Sequence, residues 1–327
     1  GQTQSKSLGV VSAGDAWVER LNAVGKTEWV QRHDGKPGLY DSWNDAAVLD
    51  NGELVICGYL DDDAKRPAQV RWLDPATGKT LRTHDYVGYS YPRSARGCVA
   101  NGDQVLATGT QSTSHANGPR TVSWFGQYNA AGKVMKELNW TLGGHHIRMN
   151  DVSWRVNQDD QFIVIGAGST QNLGKNETIQ VTYIDWAKNL IVALYGLPDT
   201  YESRAEAITP SGENHVIAGF SKVSGSTSRE ATLWQLSGKG AIVWQKRYAK
   251  TGYSLLSALA ERDGSIVAVG AGVGVGGPQY SPLWMRVSSK GELLSSKVID
   301  VGKTAHFANI VAAPAGGFWA VGSTLDN

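Results

Sequence analysis

The stretch LWQLSGKGAIVWQKRY (233–248), followed by LAERDGSIVAVG (259–270), decides the fold. It begins with an apolar strand that carries Trp234. A small polar turn, Ser237-Gly238-Lys239-Gly240, leads into a second strand with Trp244 and Tyr248. After a short connection, a further strand meets the turn Arg262-Asp263-Gly264 and returns as IVAVG, ending in Gly270. Turn residues between two apolar runs of this length read as hairpins.

Both halves of this pattern recur along the 327 residues. The strand ending in glycine appears as LVICG (Gly58), VLATG (Gly109), FIVIG (Gly166), HVIAG (Gly219), IVAVG (Gly270) and FWAVG (Gly322). A turn precedes each: DNG at 50–52, NGD at 101–103, NQDD at 157–160, PSGE at 210–213, RDG at 262–264 and PAGG at 314–317. The aromatic half recurs from Trp17, Trp72, Trp124, Tyr183, Trp234 and Trp284. The copy at Tyr183 departs most, with Asn189 where the others place glycine; asparagine is the next most tolerant residue of a left-handed turn. Spacings of this order mark a stacked or radial repeat.

Each unit therefore reads as four strands: A before the first turn, B ending in glycine, C aromatic and D after the Gly-Lys turn. The chain opens on C and D (Trp17 to Gln31) and closes on A and B (His306 to Gly322). The expectation is an all-β, six-bladed β-propeller of four-stranded antiparallel blades, closed by pairing of the N-terminal C–D strands with the C-terminal A–B strands. Such pairing would remove two open sheet edges. On this reading residues 1–327 form a single domain. Its blades run over about 43–85, 93–139, 148–194, 203–248, 254–299, and 305–323 plus 15–32.

AWVERLNAVGKTEW (16–29), then Asp45-Ala46-Ala47 and LDNGELVICG (49–58), resembles the repeat of bacterial β-propeller proteins of the form W-x-x-x-L-D-x-x-G-x-x-x-W, D-x-A and D-G-G-x-x-x-x-G. The 233–248 and 259–270 stretches resemble it equally. The resemblance covers nearly the whole chain and implies a fold; such propellers serve many roles.

Composition narrows the function. With 31 Lys+Arg against 30 Asp+Glu, no basic face is imposed and nucleic acid is not an expected partner. No run approaches the length of a membrane span. The polar start GQTQSKSLGVVS carries no signal region; a periplasmic or secreted location is expected, with a signal peptide removed ahead of residue 1. The chain lacks paired-cysteine zinc spacing. Cys57 and Cys98 lie in neighbouring units and read either as a disulfide or as two buried small hydrophobes. A monomer is expected.

In propellers of this type strand A lines the central channel, and the D–A and B–C loops share one face. The D–A loops and strand-A starts hold Tyr40, Trp43, Tyr86, Tyr89, Tyr91, Arg93, Arg96, His145, His146, Arg148, Tyr201, Glu202, Arg204, Tyr253 and His306. Aromatics and arginines gathered in loops are the residues of binding hot spots, so this is the candidate binding face. The competing structural reading is that about half of the tyrosines pack between blades.

The strand-A starts also bring oxygen donors: Asp45, Asn150, Asp151, Glu206 and Asn309. These suit Ca²⁺, as in lactonase-like propellers, although no motif beyond blade number is shared with them. The other account is that an aspartate here satisfies backbone amides of a neighbouring blade, and that Arg and Glu pair within a wet channel. Arg96, Arg148 and Arg204 suggest a sialidase-type carboxylate clamp, but the S-x-D-x-G-x-T-W box is missing. GAGVGVGG (270–277) runs into a strand rather than a helix, so it is not a phosphate loop.

The expected function is a non-enzymatic binding propeller with a protein partner, including the case of an immunity or inhibitor protein for a secreted toxin. No catalytic residue and no resident cofactor are assigned. The alternatives are a glycan-acting hydrolase or lyase at the channel mouth, and a lectin-like glycan-binding propeller.

Overall fold

The computed structural model describes residues 2–3, 15–21, 27–33, 41–59, 67–86, 93–113, 120–140, 146–154, 161–169, 178–185, 188, 190–196, 202–223, 225–226, 228–248, 254–273, 280–299, 305–312 and 318–324. Every regular element among them is a β-strand. The chain divides into two compact units, Gly1–Val152 and Ser153–Asn327.

The first unit opens with β1 (Gln2–Thr3), β2 (Asp15–Leu21) and β3 (Thr27–His33), a three-stranded sheet in that order. A four-stranded antiparallel meander follows: β4 (Ser42–Val48), β5 (Leu54–Tyr59), β6 (Ala68–Leu73) and β7 (Thr80–Tyr86). The next repeats it with β8 (Arg93–Asn101), β9 (Gln104–Thr113), β10 (Arg120–Tyr128) and β11 (Val134–Trp140). The division between the units falls within β12 (His146–Trp154). It opens the sheet completed by β13 (Gln161–Ser169), β14 (Thr178–Asp185) and β15 (Leu190–Gly196).

The second unit holds two more four-stranded meanders. One consists of β16 (Glu202–Ser211), β17 (Asn214–Lys222), β18 (Glu230–Leu236) and β19 (Ile242–Tyr248). The other consists of β20 (Ser254–Arg262), β21 (Ser265–Val273), β22 (Tyr280–Ser288) and β23 (Leu293–Val298). The strands β24 (Ala305–Ala312) and β25 (Phe318–Thr324) form a two-stranded sheet.

This topology corrects the six-bladed expectation. The described strands do not form six four-stranded blades, and among them no sheet is assembled from both chain ends. β2 pairs instead with β1, through Gln2 opposite Ala16 and Thr3 opposite Asp15, while β24 and β25 pair with each other. Counting half-units along a sequence shows how many strands there are. Which edges meet depends on long-range pairing, and a two-residue strand such as β1 leaves no pattern to read.

Within each unit, successive sheets pack face to face, and the core lies between them. In the first unit Val55, Cys57, Val70 and Trp72 meet Ala95, Cys98, Val105, Ala107, Trp124 and Tyr128. In the second, Val216, Ala218 and Leu233 meet Leu256, Ile266, Ala268, Met285 and Val287. The first aromatic of the repeat supplies the largest fully buried side chains, Trp72, Trp124 and Trp234.

The recurring glycines have two different causes. Strand A carries a β-bulge just inside its start, between Trp43 and Asp45, Ala95 and Gly97, Ala205 and Ala207, Leu256 and Ala258, and Phe307 and Asn309. The bulge turns a strand-A carbonyl toward the repeat glycine of strand B. A Cβ at Gly58, Gly109, Gly219 or Gly270 would overlap the carbonyl oxygen of Ser42, Ser94, Arg204 or Leu255 respectively, so close backbone approach demands glycine there. The C–D turn glycines instead need the left-handed region, with φ of +70° at Gly78, +75° at Gly132, +85° at Gly240 and +75° at Gly291. The Asp, Asn or Ser that opens these turns binds the turn's own amides. Asp74 Oδ1 accepts from Ala76 N at 2.8 Å, Asn129 Oδ1 from Lys133 N at 2.9 Å, and Ser288 Oγ from Glu292 N at 3.1 Å.

Candidate functional site

The strand-A bulge also governs the polar groups near the start of strand A. The residue just after it, aspartate at 45 and asparagine at 309, turns its side chain back onto the backbone. Asp45 Oδ1 accepts from Ala46 N at 2.8 Å and Asn309 Oδ1 from Ile310 N at 2.7 Å; on β12, Asp151 Oδ1 accepts from Val152 N in the same way, at 2.7 Å. The second oxygen of Asp45 accepts the backbone N–H of Cys98, on β8 of the next sheet, at 2.8 Å. Asp151 abuts the same strand: a Cβ at Gly97 would stand 2.8 Å from its Cα. Asp45 keeps part of its surface open, yet its carboxyl is enclosed by protein, and this desolvation raises its pKa to about 6 against the pull of the two amides.

These bonds bear on the calcium candidates. Asp45, Asp151 and Asn309 spend side-chain oxygens on backbone amides. Glu206 pairs with Arg204 at 2.5 Å, and Asn150 is buried. Among the described residues no group of three or more His, Cys, Asp or Glu is placed to hold a metal ion.

Several candidate binding residues prove to be interior. Trp43 is 6% exposed and packs with Ala16, Ile56 and Leu73, under the Arg71 guanidinium 5.1 Å from its ring. Tyr86 is 7% exposed and stacks on Trp124 with centroids 4.9 Å apart and planes 10° apart. Glu202 is buried in an ion pair with Arg229, whose guanidinium lies 4.3 Å over the Phe220 ring. Arg96, Arg148, Arg204 and His306 are half-buried, and burial pulls the His306 pKa down. Tyr40, Tyr89, Tyr91, His145, Tyr201 and Tyr253 lie outside the described residues, as do the side chains of Arg93 on β8 and His146 on β12.

Sequence reasoning missed a polar cluster at the same end of the β4–β7 sheet. Gln69 donates to Asp85 and accepts from Arg71, and Asp41 is fully buried beside them. Burial pulls the Arg71 guanidinium below its usual range, while Asp85 and Asp41 hold it up. The available signal was Gln69 and Arg71 two apart on β6, which places them on one face.

No protein-family model matches the chain, and no curated protein matches it. Solved structures do. Hydrazine synthase of Kuenenia stuttgartiensis aligns with a TM-score of 0.61 at 10% identity, over 95% of this chain and 89% of that one. Sqt1 of Chaetomium thermophilum aligns at 0.51 and 13% identity, over 86% and 68%. A Trypanosoma rangeli sialidase aligns at 0.55 and 8% identity, over 96% of this chain and 56% of its own. Together with the packed four-stranded meanders, these likenesses define the fold class as a β-propeller. No helix among the described residues is long and apolar enough to cross a membrane.

Proposed function

We propose that the chain is a protein-binding β-propeller that works outside the cytoplasm and presents the D–A loop face to its partner. The observation that carries this reading is how charge is used around the strand-A starts. Arg204 pairs with Glu206, Glu202 with Arg229, and Asp45 with two backbone amides. Acids committed to arginines or to backbone amides are held fixed within the fold, which suits a rigid scaffold for binding loops more than a general acid and base set to exchange protons. One structure of Sqt1, bound to the N-terminus of ribosomal protein L10, aligns at a TM-score of 0.50 and 15% identity, so this type of fold accommodates a peptide segment of another protein.

An inhibitor or immunity role toward a secreted toxin is the finer form of the proposal. The test is affinity isolation from the extracytoplasmic fraction, followed by titration of the purified partner against the chain and its Arg96→Ala/Arg148→Ala/Arg204→Ala variant. Saturable one-to-one binding, weakened but not abolished in the variant, supports the reading. Turnover of a glycan or ester panel, lost completely in the same variant and with no partner recovered, replaces it with a hydrolase or lyase.

A further inference from the structure

We propose that Cys57 and Cys98 form a disulfide that clamps the β4–β7 sheet to the β8–β11 sheet once the chain folds in the presence of a disulfide donor. Both thiols are free here and buried, at 0% and 5% exposure, inside one apolar cluster. Their placement rests on Asp45. Cys57 is its direct partner across the β4–β5 pair, and Cys98 donates its backbone N–H to the Asp45 carboxylate at 2.8 Å. Two backbones fixed to one residue in this way bring the side chains together, and the two thiols are within hydrogen-bonding reach of each other. Adjacent sheets that face each other across a dry core thus place two cysteines where covalent linkage needs little movement.

The surroundings also say when the bond forms. Burial, with the nearby Asp45 and Asp151 carboxylates, pushes the Cys57 thiol up, and the hydrogen bond with Cys57, with burial, pushes the Cys98 thiol well up, so in the folded chain neither is a ready nucleophile. Linkage belongs to folding, while the thiols are still open to solvent. One cysteine thiolate attacks the donor disulfide and forms a mixed disulfide, releasing one donor thiolate. The second cysteine thiolate then attacks the protein sulfur of that mixed disulfide and releases the other. The two donor thiolates carry away the electron pair and take up the two protons. Closing the loop from 57 to 98 restricts the unfolded chain and ties covalently two sheets that otherwise meet through side-chain packing and hydrogen bonds such as Cys98 N–H to Asp45 and Asn44 to the Ala95 carbonyl.

The test refolds the full chain from denaturant in a buffer of reduced and oxidised glutathione, then unfolds it with an alkylating agent present. The expected result is no alkylated cysteine, an intact mass lower by two hydrogens, and a proteolytic peptide pair joining Cys57 to Cys98. Reduction should then lower the melting temperature by roughly 5–10 °C, and the Cys57→Ala/Cys98→Ala chain should show no response to reductant. Two alkylated thiols, a glutathione adduct on either cysteine, or linkage only between chains would overturn the proposal. So would a melting temperature unchanged by reduction.

Discussion

The ring of Trp244 covers Gly291 in the turn of the next sheet, and its indole Nε1 donates to the carbonyl of Ser289 at 3.0 Å. Tyr248 on the same strand donates to the carbonyl of Gly291 at 2.8 Å. The contact recurs in the first unit, where Trp29 covers Gly78 and donates to Pro75 O at 3.0 Å. Arg82 takes the tryptophan's place over Gly132, with its guanidinium 5.2 Å from the Trp72 ring. The second Trp and the turn Gly of the repeat are therefore two halves of one joint between neighbouring blades.

Gly291→Ala tests that joint. A Cβ there would stand 2.9 Å from Lys246 Cγ and 3.0 Å from the Trp244 ring, at a φ of +75°. The left-handed backbone alone costs an alanine about 1–2 kcal/mol, and the displaced indole adds to it. Gly52→Ala, at a φ of +85° with nothing within 4 Å, should show the backbone cost alone. Urea denaturation of the two variants separates the contributions. Equal losses would mean that the indole contact contributes nothing.

A second comparison concerns the strand-B glycines. Gly219→Ala drives a methyl into the carbonyl of Arg204 and leaves no relief except undoing the bulge at Ala205–Ala207. A loss of about 3 kcal/mol or more, or failure to accumulate as soluble protein, is expected. Gly272→Ala meets nothing closer than 3.4 Å and has no positive φ, so it should be within about 1 kcal/mol of the parent. Similar urea midpoints for the two would refute the close-approach account.

The contrast between these glycines shows what was legible in the residues. Turn glycines such as Gly240 and Gly291 are local: a polar residue, a glycine and flanking apolar strands announce them. Gly219 recurred just as plainly, but its cause lies on the facing strand, in a bulge that no single-strand pattern displays. The same limit applied to the site. Trp43 and Tyr86 stand within a residue or two of loops and read as loop aromatics, yet each turns into the core. Glu202 and Arg229 are far apart in sequence and meet only because β16 and β18 flank β17. The joining of the chain ends failed for a related reason, since pairing of sheet edges is non-local and β1 is too short to signal.

Tyr86 offers a direct decision between packing and recognition. Its ring is stacked on Trp124 and its hydroxyl reaches Asn139 Oδ1 only at 3.4 Å. Tyr86→Ala should cost about 3–5 kcal/mol, in the range for truncating a buried aromatic. Tyr86→Phe should cost about 1 kcal/mol or less, because the hydrogen bond is long. Both are read by chemical denaturation. A Tyr86→Phe chain that keeps its stability but loses its partner would return Tyr86 to the binding face.

Asp45 sets a pH dependence of unusual sign for a carboxylate. Its folded pKa of about 6 lies above the ordinary 3.8, so between those values the folded chain binds more proton than the unfolded chain. Stability from this group is therefore greatest below about pH 4 and falls as pH rises to about 6, by up to about 3 kcal/mol. Glu53 acts in the opposite direction. Its pairing with Arg82 holds its pKa below the usual range, so its contribution is present at neutral pH and fades on acidification. Asp45→Asn separates the two. The amide cannot accept both the Ala46 and Cys98 N–H groups with oxygen, so the variant should be weaker than the parent at pH 4. It no longer titrates, so the deficit should shrink as pH rises through 6. Urea midpoints of both chains between pH 3.5 and 7.5 check this, and a deficit that stays constant would place the Asp45 carboxyl in contact with water rather than enclosed between the two sheets.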